Sequence, residues 1–362
     1  MAEHFLTYDV FKRGIRIYLQ QNQFGVVQPT DLYDAFQEAL NVENLHDSLN
    51  NLTVKEILST WDSSSGYPLV NAYRSYENNS LALIQNSFSR HNIFTYGHIW
   101  YIPISVMLQY NTNKSNYDNS KTTPDYWLTR KYLQIDNFTS DGWILINKLQ
   151  TGYYRVNYDI TNWERLSEFL YYKDFNLIHV VNRAQLIDDA FNLAKWDYIL
   201  FEIPLNLSKY LTRETHYLPL ASFLGNISSF KSALTFTDTY RNFQNYIISI
   251  LNGAYNYLGF EEKVGDSHLD KLNRINILTW FSDMGHQEYR DFALKKFREW
   301  KSNKTSLSAD MEVPIFCGAM QIGTIEDWNY LYEKYQLSTE KDQKMRMFSS
   351  LACSGNETIL KR

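Results

Sequence analysis

Residues 1–65 carry apolar side chains at helical spacing. In the first stretch they recur at i, i+4, i+7 and i+8, on one helix face: Phe11, Ile15, Tyr18 and Leu19. Gly25 interrupts the pattern, and Pro29-Thr30-Asp31 supplies the start signals of a second helix. A third helix is predicted from about Thr53 to Trp61. We therefore predict a helical segment over residues 1–65.

The period changes to two in residues 66–159. Alternate apolar positions there predict one long strand, with a second run from Trp143 to Leu145: Trp100, Ile102, Ile104, Val106 and Leu108. The polar stretch 111–123 reads as a hairpin or surface loop. Short strands separated by turns predict a small β-sandwich over 66–159.

Helical spacing returns in residues 160–362. Asn182 with Gln185 three residues later resembles a capping box. The stripe that follows has four apolar members: Ala184, Ile187, Phe191 and Ala194. A later helix is expected from Thr324, with Trp328, Leu331 and Tyr335 on one side. Helix pairs stacked into a superhelix are predicted, and the fold class is multi-domain α+β.

Composition and charge exclude several classes of protein. An apolar fraction of 44% and an aromatic fraction of 16% indicate packed cores and exclude a disordered chain. The net charge of −5 and the lack of a basic stripe give no support for nucleic-acid binding. No apolar run approaches the roughly 20 residues of a membrane span, and the N-terminus has no signal-peptide pattern.

Acceptor sequences for N-glycosylation recur along the chain and indicate a secreted or lumenal origin. An Asn-rich sequence produces some of them by chance. The acceptors are Asn51, Asn78, Asn113, Asn137, Asn206, Asn226, Asn303 and Asn356.

The residues offer no pattern for catalysis. A zinc hydrolase needs converging ligands such as H-E-x-x-H, and none of the 8 histidines stands in that spacing. The chain has no G-x-S-x-G elbow, and its 14 glycines form no phosphate-binding loop. We expect no catalytic residue, no metal site and no cofactor in this chain.

Two charged residues of the segment 182–194 are candidate contacts. Arg183 and Asp188 are expected either to fix the orientation of neighbouring domains or to face a substrate cavity, and we favour the first. The carboxylate pairs Asp188-Asp189 and Glu261-Glu262 are expected to be solvated or salt-bridged, because neighbours along a helix point in different directions.

Cys317 and Cys353 are the only cysteines. They are 36 residues apart, and the segment between them can return the chain on itself. A bridge would then stabilise the fold by roughly 3–4 kcal/mol. Two free buried thiols are the alternative.

Two motifs resemble a known family. They are similar to the junction between the third and fourth domains of aminopeptidase N-type zinc metallopeptidases, and they comprise Gly152–Asp159 and Asn182–Ala194. Further matches run in order along the chain: Asp9–Gly14, Gly66–Val70, Trp100–Ile104, Arg213–Pro219, Cys317, Gly323, Trp328 and Leu351–Ser354. Leu220 departs from the family pattern, which usually has tryptophan there.

The resemblance implies the C-terminal, non-catalytic part of an extracellular, cell-surface or lumenal enzyme. In the complete enzyme, zinc bound before residue 1 of this chain would serve to remove N-terminal residues from peptides. The helical domain, expected to lack its last helices, would shape the cavity. The resemblance also implies a homodimer formed through this domain. The resemblance also implies the bridge Cys317–Cys353. A second family bridge should be absent, because Ser282 and Tyr289 occupy its positions.

Two other interpretations stay open. The chain is either a stand-alone helical module that binds peptides or proteins, or a truncated product with no selected role. Peptide binding by the isolated chain favours the first, and aggregation on expression favours the second.

Overall fold

The computed structural model describes residues 1–43, 49–89, 98–109, 121–139 and 142–361. They divide into two compact units, Met1–Lys209 and Tyr210–Arg362. Helices predominate, and strands are confined to the middle of the first unit. The predicted α+β class is confirmed. The predicted domain limits at 65/66 and 159/160 stay a prediction. The division between the two units falls at residues 209/210 of the chain, inside the segment predicted as the helical domain.

The first unit opens with four helices. Their bounds are α1 Ala2–Leu6, α2 Tyr8–Gln21, α3 Pro29–Glu43 and α4 Val54–Asp62. The predicted apolar stripe of α2 is partly wrong. The buried residues of this helix are Val10 and Gly14, which were not predicted, whereas Leu19 of the predicted stripe is 60% exposed. A Cβ on Gly14 would overlap the Phe36 ring, so the two helices approach closest at the residue without a side chain.

The predicted third helix is confirmed as α4 and has the capping box that starts many helices. The backbone N–H of Glu56 donates to Thr53 Oγ1 at 3.2 Å, and the N–H of Thr53 donates to Glu56 Oε2 at 2.7 Å. Two otherwise unpaired backbone donors are thereby satisfied.

Eight strands follow among the described residues. Their bounds are β1 Pro68–Ser75, β2 Ser80–Ser87, β3 Ile102–Ile104, β4 Val106–Leu108, β5 Tyr126–Leu128, β6 Tyr132–Ile135, β7 Ile144–Ile146 and β8 Arg155–Tyr158. One sheet has the order β6-β2-β1-β8, with β1 and β8 parallel. The pairs β3–β5 and β4–β7 form two further sheets.

The single strand predicted over residues 100–108 is wrong. Ser105 divides it into β3 and β4, which pair with different strands. The backbone carbonyl and the hydroxyl of Ser105 accept hydrogen bonds from Asn147 and Lys148. The break shifts the buried positions from Ile102 and Ile104 to Met107.

A buried amide joins two of the sheets. Gln85 of β2 donates to the carbonyl oxygens of Trp100, Leu128 and Arg130 at 2.9, 3.2 and 2.9 Å. Its Oε1 accepts from the N–H of Trp100 at 2.9 Å. A hydrophobic side chain here would remove these hydrogen bonds, and buried polar groups are as a rule hydrogen-bonded.

Three helices complete the first unit: α5 Ile160–Tyr172, α6 Val180–Lys195 and α7 Glu202–Leu207. The predicted start of α6 at Asn182 is wrong, because the helix begins at Val180 with His179 as its N-cap. The Nδ1 atom of His179 accepts from the N–H of Val181 at 3.3 Å. Asn182 therefore lies inside α6, and its side chain is available for another purpose.

The second unit is a succession of helices: α8 Tyr217–Leu234, α9 Tyr240–Leu258, α10 His268–Met284, α11 Gln287–Lys301, α12 Ala309–Ile322, α13 Ile325–Leu337, α14 Lys341–Leu351 and α15 Glu357–Leu360. The helices from α8 to α12 each pack against the next, α13 packs against α14, and α12 also contacts α10 and α14. This agrees with stacked helix pairs. The predicted helix after Thr324 is confirmed as α13, with Leu331 buried.

Two glycines of this unit make a matched pair for testing its packing. A Cβ on Gly253 would overlap the backbone carbonyl oxygen of Thr212, whereas one on Gly225 would meet nothing within 4 Å. We expect Gly253→Ala to lower the free energy of unfolding by about 1–3 kcal/mol, because backbone must move. Gly225→Ala should raise it by about 0.5–1 kcal/mol through helix propensity. Urea unfolding measures both, and an unchanged Gly253→Ala protein would contradict the packing described.

Candidate functional site

The conspicuous polar cluster of the first unit lies where β8 meets α6. Arg155 stands at the start of β8, and its Nη1 donates to Asp188 Oδ2 at 2.6 Å and to Asp189 Oδ1 at 2.9 Å. The second oxygen of Asp189 accepts from the N–H of Val156 at 3.1 Å. Charge-assisted hydrogen bonds thus join the sheet edge to the helix.

Aromatic rings cover the other side of the guanidinium. Its carbon lies 5.3 Å from the centre of the Phe88 ring and 6.0 Å from that of Tyr67. Nε donates to the Tyr67 hydroxyl at 3.3 Å, and Tyr198 stacks on Phe88. Such faces attract a cation and shield it from water.

Burial and charge act against each other on these groups. Burial lowers the pKa of Arg155, but Asp189 and Asp188 outweigh it and raise the pKa overall. Burial raises the pKa of Asp189, Arg155 lowers it and Asp188 raises it, and together these effects bring the pKa to about 7. Asp189 is the titratable part of the cluster near neutral pH.

Arg183 and Asp188 each have their own described contacts. Arg183 is buried near the start of α6, where Nη1 donates to the carbonyl of Ile178 at 2.7 Å and the guanidinium lies 5.0 Å from the Phe175 ring centre. Asp188 instead contacts the strand through Arg155. The proposed cavity role of either residue stays a prediction.

The pair Asp188-Asp189, expected to be solvated or salt-bridged, is salt-bridged, but sequence reasoning missed its partner Arg155. Two adjacent carboxylates on a helix do point in different directions, yet both reach one guanidinium nitrogen because Arg155 lies against the helix. An arginine between apolar positions of a buried strand was the available signal, since a buried charge requires a partner.

A turn before β8 has an unusual backbone. Leu149 and Gln150 have φ of 53° and 54°, and Asn147 has 71°. The N–H of Thr151 donates to the carbonyl of Lys148 at 3.3 Å and closes the turn. The left-handed conformation costs a side-chain-bearing residue roughly 1–2 kcal/mol, so surrounding contacts must hold it.

Side-chain amides supply those contacts. The Oδ1 atom of Asn182 accepts from the N–H of Leu149 at 2.9 Å, and its Nδ2 donates to the carbonyl of Asn147 at 3.0 Å. Asn147 Oδ1 accepts from the N–H of Gly152 at 2.8 Å. Asn182 thus ties α6 to the turn as Asp189 ties it to β8.

Cys317 of α12 and Cys353, which follows α14, form a disulfide with their Cα atoms 5.2 Å apart. Trp328 of α13 donates from Nε1 to the carbonyl of Leu351 at 3.1 Å beside it. The covalent bond therefore joins helices that already pack against each other. The positions of the second family bridge, Ser282 and Tyr289, are both buried.

Several histidines have structural partners. The Nδ1 atoms of His179, His216 and His286 each accept a backbone hydrogen bond at a helix start. His98 contacts the carbonyl of Thr60 at 2.7 Å. His46 and His91 lie outside the described residues. Across the described ranges, no three His, Cys, Asp or Glu side chains gather as metal ligands.

The glycosylation acceptors fall into two groups. Five are exposed: Asn51, Asn78, Asn137, Asn303 and Asn356. Asn206 and Asn226 are half-buried within α7 and α8, and Asn113 lies outside the described residues. Of the helices described, none is long and apolar enough to cross a bilayer.

Removal of the buried cation should destabilise the first unit. Arg155→Met leaves the Asp189 carboxylate without its ionic partner, and we expect a loss of about 3–5 kcal/mol in the free energy of unfolding. Arg13→Met is the control, because the pair Arg13–Glu43 is exposed and should contribute less than about 1 kcal/mol. Urea unfolding at pH 8 measures both. Equal small losses would contradict the importance of the buried cluster.

Stability should also depend on pH through Asp189. Its folded-state pKa of about 7 lies above the ordinary 3.8, so the folded state binds more protons between these values. The free energy of unfolding should therefore fall as pH rises from about 4 to 7. Asp189→Asn should abolish this fall, whereas Asp188→Asn should only reduce it, because Asp188 contributes to the raised pKa of Asp189. Unfolding curves at several pH values decide, and an unaltered slope in Asp189→Asn would disprove the assignment.

The comparisons with known proteins agree with this architecture. The ERAP1-like C-terminal domain model matches residues 143–362. Aminopeptidase N of Plutella xylostella is 28% identical over 98% of the chain and 37% of the relative. For membrane alanyl aminopeptidase of Manduca sexta the values are 29%, 100% and 36%, and for human aminopeptidase N 28%, 100% and 37%.

The chain thus spans little more than a third of the length of the curated relatives it matches. The resemblance to the C-terminal half of aminopeptidase N-type enzymes, inferred from the motifs, is confirmed. Because the domain model covers most of the sequence, the chain belongs to the ERAP1-like C-terminal domain family.

Proposed function

We propose that this chain serves as the non-catalytic C-terminal part of a zinc-dependent aminopeptidase that removes N-terminal residues from peptides. The observation that carries the proposal is that 98–100% of this chain aligns with 36–37% of the length of each of three aminopeptidases. The described residues do not fit a catalytic zinc, which needs three protein ligands and an open position. The zinc would belong to a part of the enzyme outside this chain.

The contribution of this chain would be to hold walls of the substrate cavity in place. The clusters around Arg155 and Asn182 support this role, because they join strands to α6 through buried polar contacts that have strict geometry. Arg183 and Asp188 would act as positioning residues and not as substrate ligands.

We further propose that the protein matures in the secretory pathway and works at the cell surface, in the lumen or outside the cell. The disulfide supports an oxidising compartment. The name of the Manduca relative, a membrane enzyme, supports a membrane-associated complete protein. The exposed acceptor asparagines are consistent with a glycoprotein.

A chimera tests the proposed function. The aligned part of Plutella aminopeptidase N is replaced by this chain, and turnover of an aminoacyl-anilide is compared with that of the relative lacking the part. We expect the chimera to regain zinc-dependent activity. Arg155→Met in the chimera should lose activity on mild heating, and Arg13→Met should not.

The isolated chain supplies the second arm of the test. It should show no turnover of the anilide with or without zinc, and turnover would refute the assigned role. A folded but inactive chimera, together with peptide binding by the isolated chain, would favour a stand-alone binding module instead. An isolated chain that aggregates beside an inactive chimera would favour a truncated product.

Glycan occupancy should follow exposure. In a eukaryotic secretory host we expect higher occupancy at the exposed acceptors than at Asn206 and Asn226, which are half-buried in helices. A bulky sugar at either helical position would displace packed side chains. Peptide mass spectrometry after enzymatic deglycosylation measures each site, with single Asn→Gln variants as controls. Full occupancy of both helical sites in folded protein would contradict the expectation.

A further inference from the structure

We propose that the turn Lys148–Thr151 is a preorganised recognition element, in which the side-chain amide of Gln150 binds the main chain of a peptide beyond its first residue. This inference rests on the proposed aminopeptidase function and assigns a contact to it. Gln150 is exposed, and Tyr153, three residues further on, is 64% exposed.

The local sequence does not favour this turn. Positive φ at two central residues is typical of type I′ turns, in which Asn and Gly predominate. Here those positions carry Leu149 and Gln150. Strained backbone of this kind persists when its surroundings over-determine it, and it concentrates at ligand clamps and active sites. The outlier therefore calls for a reason beyond chain reversal.

The surroundings do over-determine the turn. Each backbone N–H from Asn147 to Gly152 has an acceptor within the first unit. Ser105 accepts two of these bonds, Asn182 one and Asn147 two. Ser105, Asn147 and Asn182 are buried. These three residues, here called the clamp, therefore hold the backbone of the turn in one conformation.

The clamp leaves an exposed neutral group for a ligand. The Lys148 side chain is buried, and its ammonium lies 3.9 Å from Asp125 Oδ2. The exposed side chain of the turn is the amide of Gln150, which carries both a donor and an acceptor. That pair matches the N–H and C=O of a peptide group. A carboxylate or a phosphate would instead require a cation.

Substitutions separate the strain from the amide. Gln150→Asn keeps an amide and tolerates positive φ, so it should raise the urea midpoint of the chain. Gln150→Ala removes the amide but leaves a Cβ at positive φ, so the midpoint should stay nearly unchanged. Phe24→Gly is the matched control, because Phe24 has φ of 59° and is fully exposed in another turn; it should also raise the midpoint.

The functional readout is the ratio of kcat/KM for a hexapeptide to kcat/KM for an aminoacyl-anilide, measured in the chimera. Gln150→Ala should lower this ratio about three- to tenfold, as expected for one lost hydrogen bond. Phe24→Gly should leave it unchanged, and Gln150→Asn should retain most of it. The anilide has no main chain beyond its first residue, so its turnover is the internal reference.

The outcomes are distinguishable. An inactive wild-type chimera sinks the proposed function itself. An active chimera in which Gln150→Ala keeps the wild-type ratio overturns the recognition role and leaves the strain as a structural property of the turn. Equal losses on both substrates also overturn it, because they would indicate a general packing effect.

Discussion

The pairing of Arg155 with the buried carboxylate of Asp189 is the interaction on which the first unit depends. A charge removed from water is costly unless it is paired and hydrogen-bonded. Because Arg155 stands on β8 and Asp189 on α6, helix and strand must keep one register to satisfy both groups. The Phe88 and Tyr67 rings beside the guanidinium add a cation–π attraction to this constraint.

Side-chain amides extend this constraint through the same helix. Asn182 and Gln85 each bind backbone groups of other elements or turns. Apolar packing is non-directional and tolerates small shifts, whereas a buried amide is satisfied in a narrow range of positions. The unit is thus built from short strands whose relative positions are set by polar contacts. The strained turn at Leu149 and Gln150 depends on these contacts too.

The second unit reaches its order differently. Stacked helices there are started by local caps, including His216, His286 and Thr324. The disulfide closes the region from α12 to the end of α14. Local caps and one covalent bond suit an array in which helices chiefly contact near neighbours. These features are also the ones most visible in sequence, since caps and cysteines depend on nearby or scarce residues.

The sequence by itself determined the class, the helical arrays, the helices α4 and α13 and the family, because each depends on short spacing or on residue identity. It misplaced part of the buried stripe of α2, the single strand over 100–108 and the start of α6, and it did not name Arg155 as the partner of Asp188. Only tertiary structure decided the stripe, the strand break and the ion pair, because Gly14, Ser105 and Arg155 contact residues distant in the chain. The start of α6 was missed although its cap, His179, is local. Buried ion pairs form between residues that are close in space but distant in the chain, and local periodicity does not encode that proximity.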